Sequence, residues 1–301
     1  MNRVLFVGSD GFDMGIPQEL DTSIIKIIYD RSTGLMPDNQ PVDLFVIDQI
    51  NKKSIDAILT IPQPFVNNVC KSTWIQHATK NNIPVGIIWY DSIAYTNVIE
   101  EMGDRFLHIV FDDQNFKKGF PIWTPIDCPI QEPGAIRPID ICFLGNVDCN
   151  QRKDAIKYLL NNNIPIFTIG NQSWNKVDHN QMFNYLRMSK ITLNFSKNRF
   201  INKCSLKGRV LEAMLSGSMI IEDANDNTNK YFDPDMDLIW YYDLSDLLNK
   251  IKKYLENDEE RIKIALNGQY RCIKEYNLNN WWKIILNKLF NGIKLKYIKL
   301  P

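Results

Sequence analysis

The stretch Asn194-Phe195-Ser196, a polar loop, then Cys204-Ser205-Leu206-Lys207-Gly208-Arg209-Val210-Leu211-Glu212-Ala213-Met214-Leu215-Ser216-Gly217 decides the fold class. An apolar strand over 191–195 runs into the loop, and a helix follows. Gly217 supplies a left-handed stop, and the next strand opens at once at Met219-Ile220-Ile221. Strand, helix and strand in that order make a parallel unit, so the helix begins at the carboxyl edge of a sheet. Its N-terminus offers unpaired backbone N–H groups and a partial positive charge. Lys207 and Arg209 place two cations in the first turn, where they oppose the helix dipole, and cations there call for an anion. A diphosphate fits: Arg209 suits paired hydrogen bonds to phosphate oxygens and Lys207 a point charge. Glu212, one turn on, suits the two hydroxyls of a ribose. An ordinary Arg209–Glu212 salt bridge at i, i+3, worth roughly 0.2–0.5 kcal/mol, accounts for the same letters equally well.

The pattern extends in both directions. Further strands are predicted at 139–144, 164–169 and 238–241, with helices at 152–160, 245–256, 259–276 and 278–290. The strand at 139–144 enters a polar loop at Gly145-Asn146-Val147-Asp148, and the N-terminus repeats this form with Val4-Leu5-Phe6-Val7 and Gly8-Ser9-Asp10-Gly11. Apolar runs at 24–29, 44–47, 85–89 and 106–111 are predicted strands, and 66–80 is a predicted helix with Val66, Val69, Cys70, Trp74 and His77 on one face. Between the halves, Pro121, Pro125, Pro129, Pro133 and Pro138 mark a connector. The fold class is therefore α/β, with two Rossmann-like domains, 1–135 and 136–301, facing across a cleft that holds the ligand at the strand ends.

Composition narrows the function. The 301 residues carry 35 Lys and Arg against 35 Asp and Glu, with 45% apolar content. Disordered and fibrous classes are excluded, and a neutral chain lacks the basic field of a strong nucleic-acid binder. Six cysteines contain no CxxC pair to build a zinc or redox site. Neither a signal-peptide core nor a run of ~18 apolar residues occurs, so a cytoplasmic protein is expected, in the host cytoplasm if the source is viral. The abundant Asn, Lys and Ile suggest an AT-rich coding bias. Asp233, Asp235 and Asp237 form a DxDxD run without the glycine and terminal acid of an EF-hand, so an acidic turn is expected and no metal site is assigned. His77 and His108 read as structural histidines. Glu222 and Asp223, at a strand end, read as ligand contacts or as helix caps.

Leu206 to Ala213, the following Ile220-Ile221-Glu222, Tyr231-Phe232-Asp233-Pro234 and Asp258-Glu259-Glu260-Arg261 resemble the C-terminal domain of GT-B glycosyltransferases, the spore-maturation (CgeB-like) group above all. The Gly145 loop with Arg152 and the run Lys190 to Ser196 are similar too, and the resemblance covers about 139–280. It implies a nucleotide sugar, such as a UDP-sugar, held by the second domain at Gly145, Asn146, Arg152, Ser196, Lys207, Arg209 and Glu212. A saccharide, protein or small-molecule acceptor would bind the first domain, and the last helix would cross back to that domain. The leaving diphosphate would be stabilised without a metal, and no other cofactor is implied. Related retaining enzymes carry two glutamates eight positions apart, and here Cys204 stands at the first position. Their His-Asp pair corresponds to Tyr90-Asp91, and Asp91, Asp10 and Asp13 are the candidate bases for an acceptor hydroxyl. A nucleotide-sugar epimerase and a catalytically silent nucleotide-sugar binder are the alternatives.

Overall fold

The computed structural model describes residues 2–9, 15–20, 23–30, 35–38, 40–61, 73–90, 92–170, 178–197 and 203–292. The chain forms two compact units, Met1–Pro125 with Leu278–Pro301 and Ile126–Asn277. The break falls inside the proline-rich connector, ten residues before the boundary expected at 135, and the C-terminal segment belongs to the first unit.

In the first unit the elements run β1 (Val4–Ser9), β2 (Ile24–Tyr29), α1 (Val42–Asn51), β3 (Ala57–Thr60), α2 (Thr73–Lys80), β4 (Val85–Trp89), α3 (Thr96–Met102), β5 (Leu107–Val110) and β6 (Phe120–Pro121). Its sheet has the order β2-β1-β3-β4-β5-β6, parallel throughout. Val4 to Val7 of β1 and all of β3 and β4 are buried, as expected for strands covered on both faces. Two expectations change here. The run 44–47 lies inside α1, because Val46 and Ile50 are the buried positions and repeat at i, i+4; four consecutive apolar letters fit either period. The run 57–60, not singled out in the sequence, is the central strand β3. The predicted helix at 66–80 is described only from Thr73.

The second unit contains β7 (Ile139–Leu144), α4 (Asn150–Asn161), β8 (Phe167–Ile169), α5 (His179–Met188), β9 (Ser189–Asn194), α6 (Gly208–Leu215), β10 (Met219–Asp223), β11 (Ile239–Tyr241), α7 (Leu244–Glu256) and α8 (Asp258–Lys274). The order β11-β10-β9-β7-β8 is again parallel. The chain leaves β7 to one side for β8 and returns on the other for β9, so a topological switch point lies between β7 and β9.

The last helix, α9 (Leu278–Asn287), packs into the first unit through Trp281 and Trp282, both fully buried. Trp282 meets Phe6 edge-on at 6.0 Å and its indole N–H donates to the Gly15 carbonyl, while Trp281 lies 6.2 Å from Phe111. Among the described residues no helix is long and apolar enough to cross a membrane.

Arg137, in the connector, is 6% exposed and donates to six backbone carbonyls, those of Glu132, Pro133, Leu186, Arg187, Ser189 and Ser216. Gly217 has the left-handed φ of +75° expected of a helix stop, and a Cβ there would sit 2.3 Å from the Gln131 carbonyl and 2.4 Å from Arg137 Nη2. Gly217→Ala is therefore expected to lower unfolding free energy by about 2 kcal/mol or more, from strain at positive φ plus displacement of the guanidinium. Urea denaturation measures it; a loss below about 0.5 kcal/mol would show that the connector yields freely.

Candidate functional site

The helix α6 is buried at Val210, Leu211, Ala213, Met214 and Leu215, which leaves Gly208, Arg209 and Glu212 as a half-open strip. Lys207 occupies the N-cap in extended conformation and makes no side-chain capping bond, since an ammonium cannot accept from the N–H groups of the first turn. Arg209 Nη1 lies 3.3 Å from Glu212 Oε2, so the ion pair expected of an ordinary helix is present. It does not satisfy the guanidinium: Nε and Nη1 of Arg209 are buried and make no hydrogen bond. Glu212 also faces the connector, where burial and then the Glu212 charge push the Cys128 thiol up to about 12.

A second group gathers where β7 and β8 end. Gly145 (φ +154°) donates its N–H to the Ile169 carbonyl, and a Cβ on Gly170 would meet the Gly145 nitrogen at 3.3 Å, so the two segments approach as closely as they do because residue 170 is glycine, while a Cβ on Gly145 would press on the Phe143 ring at 3.1 Å. Arg152, from the first turn of α4, donates to the Asn146 carbonyl at 2.6 Å and lies 5.7 Å over the Phe143 ring. Gly145, Asn146 and Arg152 thus form one local cluster. Lys207, Arg209 and Glu212 form another, which leaves the same sheet edge after the neighbouring strand β9.

Ser196 takes a different part. It is fully buried, and both its N–H and its hydroxyl donate to the Asp223 carboxylate, at 2.6 and 2.5 Å. Asp223, read as a ligand contact or helix cap, holds the exit of β9. The neighbouring Glu222 is fully buried and accepts from Asn194 Nδ2 at 2.5 Å. Neither link is visible in the sequence beyond a hint: two acids ending an apolar strand have no solvent to face.

Asp10, Asp13 and Asp91 lie outside the described residues. Around the last of them, Trp89 donates its indole N–H to His108 Nδ1 at 3.1 Å, and His108 Nε2 faces the Gly103 carbonyl at 3.0 Å, so this histidine is structural with its proton on Nε2. Ser92 donates its N–H and hydroxyl to buried Asp112. In the acidic turn, Asp233 and Asp237 both pair with Arg271, at 2.6 and 2.9 Å. Among the described residues no cluster of three or more His, Cys, Asp or Glu side chains is placed to hold a metal ion.

A family model described as glycosyl transferase-like matches residues 152–287, from α4 to α9. No curated protein matches the chain in sequence. Among solved structures, Anabaena HepE in complex with UDP-glucose is similar with a TM-score of 0.57 at 11% identity, over 95% of this chain and 99% of that one. A sucrose-phosphate synthase from Thermosynechococcus elongatus is similar with 0.59 at 10% identity, over 97% and 100%. A glycosyltransferase from Rickettsia africae is similar with 0.54 at 11% identity, over 96% and 99%. The fold is the mixed α/β fold of GT-B glycosyltransferases, with its two parallel sheets.

The Arg209–Glu212 pair is mostly covered but lacks a hydrogen bond at Nη1 to offset the loss of water, so it is expected to contribute little to folding. A double-mutant cycle of Arg209→Ala and Glu212→Ala on unfolding free energy should give a coupling below about 1 kcal/mol. A larger coupling would make the pair a structural element and leave the strip without a reason to stay open.

Proposed function

We propose that the protein is a glycosyltransferase that moves a sugar from a nucleoside diphosphate to an acceptor hydroxyl, with the donor held by the second unit. One observation carries the reading: Arg209 keeps two buried donors without acceptors, beside the first turn of a helix that its own N-cap residue does not cap. A diphosphate supplies the missing acceptors, Lys207 adds a point charge, and Glu212 receives the ribose hydroxyls. Gly145 and Gly170 keep side chains away from the neighbouring strand ends, and Arg152 holds the Asn146 loop beside them. In this reading Ser196 is a brace that sets the loop before α6, acting through Asp223.

In the transfer, the bond from the anomeric carbon to the diphosphate oxygen breaks and a bond to the acceptor oxygen forms. Negative charge grows on the departing diphosphate, where Lys207, Arg209 and the helix start offset it without a metal ion. The acceptor proton passes to a carboxylate, for which Asp91, Asp10 and Asp13 are the candidates. The similarity to a HepE structure holding UDP-glucose makes a uracil nucleotide the first donor to try.

The test is a thermal-shift panel of UDP, GDP, ADP, CDP and dTDP, each with magnesium and with chelator. A ligand at about a hundred times its dissociation constant stabilises by about 2.7 kcal/mol. A base-selective shift in wild type that is lost in folded Lys207→Ala, Arg209→Ala and Glu212→Ala is expected, and it should not need magnesium. Arg209→Ala should lower the transfer rate by about 10²–10³. No shift with any nucleotide would overturn the reading, and a shift without transfer or hydrolysis would reduce it to a nucleotide-sugar binder.

A further inference from the structure

The carboxyl ends of β9 and β10 enclose a buried polar network of which the donor reading uses only Ser196 and Asp223. Glu222 is 0% exposed; its Oε1 accepts from Asn194, while its Oε2 makes no hydrogen bond. The Thr228 hydroxyl and the Asn225 side chain face that carboxyl and favour its charged form against burial, although the Thr228 hydroxyl does not reach hydrogen-bond geometry. From Thr228 and Asn225 hydrogen bonds run to the approach of α6. Asn225 Oδ1 accepts from the N–H groups of Asn227 and Thr228, and its amide donates to the Asp223 carbonyl. Asn227 Nδ2 then donates to the Cys204 carbonyl at 2.8 Å. In parallel, Asp223 holds Ser196, whose carbonyl receives both the N–H and the hydroxyl of Ser205. Cys204 and Ser205 lead directly into Leu206, Lys207 and the first turn of α6, so both branches end on the segment that aims Lys207 and Arg209.

The charge state of Glu222 follows from what surrounds it. Asn194 on β9 and Asn225 and Thr228 on the turn after β10 are neutral. Among the described residues the charged or titratable groups acting on it are Asp223 on its own strand and Tyr241 on β11, neither of which supplies a positive charge. The helices α6 and α8 carry Arg209, Arg261 and Arg271, whose acid partners are Glu212, Asp258, and Asp233 with Asp237. A bare carboxylate in this position would be buried, uncompensated and next to a second anion.

We infer that Glu222 is a positioning residue for the nucleotide site, present as the neutral acid, and that its proton keeps the β9–β10 network, and through it the approach to α6, in the arrangement that binds nucleotide. The inference rests on the donor reading given above. Burial, with the Asp223 charge second, pushes the Glu222 carboxyl up to about 8. The network should therefore hold at neutral pH and loosen as the pH rises past that value.

Nucleotide affinity and apo stability, measured on the full chain with UDP as the probe (or whichever diphosphate the panel selects), separate the outcomes. Between about pH 7 and 9.5 the nucleotide phosphates stay fully ionised, since their last ionisation lies near 6. The wild-type dissociation constant should be level to about pH 8 and then rise by up to about tenfold per unit, as expected for one linked proton. Glu222→Gln, a neutral copy of the acid, should lack this rise. Glu222→Ala should weaken binding about tenfold at pH 7, with Glu222→Gln recovering most of the loss. A free-chain glutamate titrates near 4.3, so wild-type stability relative to Glu222→Gln should be greatest below that pH, fall as the pH climbs to about 8 and be level above it. Should Glu222→Gln fail to fold, Glu222→Met, close in length and neutral at every pH, takes its place as the variant with a flat profile. Identical pH profiles for wild type and the neutral variant overturn the inference, as does a stability difference that stays constant from pH 5 to 8. Absence of nucleotide binding by wild type at pH 7 overturns the donor reading itself, and this role for Glu222 with it.

Discussion

The guanidinium of Arg137 is the contact on which the second unit depends. A buried charge without a counter-ion is costly, and here its cost is offset by six carbonyl oxygens in place of water. Burial pulls the group down to about 10, with Arg261 next in effect, so it remains charged at neutral pH. Several of the carbonyls belong to helix ends: Leu186 and Arg187 close α5, and Ser216 follows α6. The negative ends of two helix dipoles thus converge on one cation, and the same cation reaches the first residue of β9 and the connector. Gln269 of α8 reinforces the junction by donating to the carbonyls of Gln131 and Leu215. With its C-terminal end held and its apolar face buried, α6 has little freedom to swing, and the residues at its open end inherit that rigidity.

Both units solve the same problem at the carboxyl edge in the same way. A strand that ends inside a buried parallel sheet leaves the next backbone N–H without a ladder partner. In the first unit Ser92, after β4, gives its N–H and hydroxyl to Asp112, after β5. In the second, Ser196, after β9, gives the same two groups to Asp223 at the end of β10. A carboxylate can accept both bonds at once, which a neutral side chain with a single oxygen does less strongly. The strand exits are therefore fixed by charge-assisted bonds between neighbouring strands, and loops leaving them start from defined positions. The sheet edge is a rigid platform in each unit taken by itself.

Much of this was legible in the letters, and what was not has identifiable causes. The parallel α/β order could be read because buried strands are continuous apolar runs and because Gly217 ends a helix where positive φ is required. The run 44–47 misled because four apolar residues carry no period, and its helix declares itself only through Val46 and Ile50. The half-open strip of α6 was visible as spacing, since Lys207, Gly208, Arg209 and Glu212 interrupt an apolar helix on one side. Arg137 was not, because three of its acceptors are backbone carbonyls roughly fifty residues away and a fourth lies at Ser216, and a carbonyl has no letter. The roles of Ser196 and Asp223 were hidden for a related reason: a serine after a strand looks the same whether it faces a ligand or a neighbouring strand's carboxylate.

The two ends of α6 carry the last step. At the C-terminal end the chain satisfies its own carbonyls: Arg137 takes that of Ser216, and the Gln131 N–H and Gln269 take that of Leu215. At the N-terminal end the local choices run the other way, with a lysine in the capping position and an arginine one residue inside the helix. Neither side chain can accept from the first-turn N–H groups, and both charges repel the helix dipole. A sequence shaped only for folding would place serine, aspartate or asparagine there, as this chain does with Asp178 before α5 and Asp243 before α7. The Glu212 carboxylate pairs with Arg209 without hydrogen-bonding to its Nη1, and it leaves the N–H groups as they were. An anion with several acceptor oxygens answers the open first-turn N–H groups and the Arg209 donors together, and a diphosphate has the oxygens to span a helix start and a guanidinium.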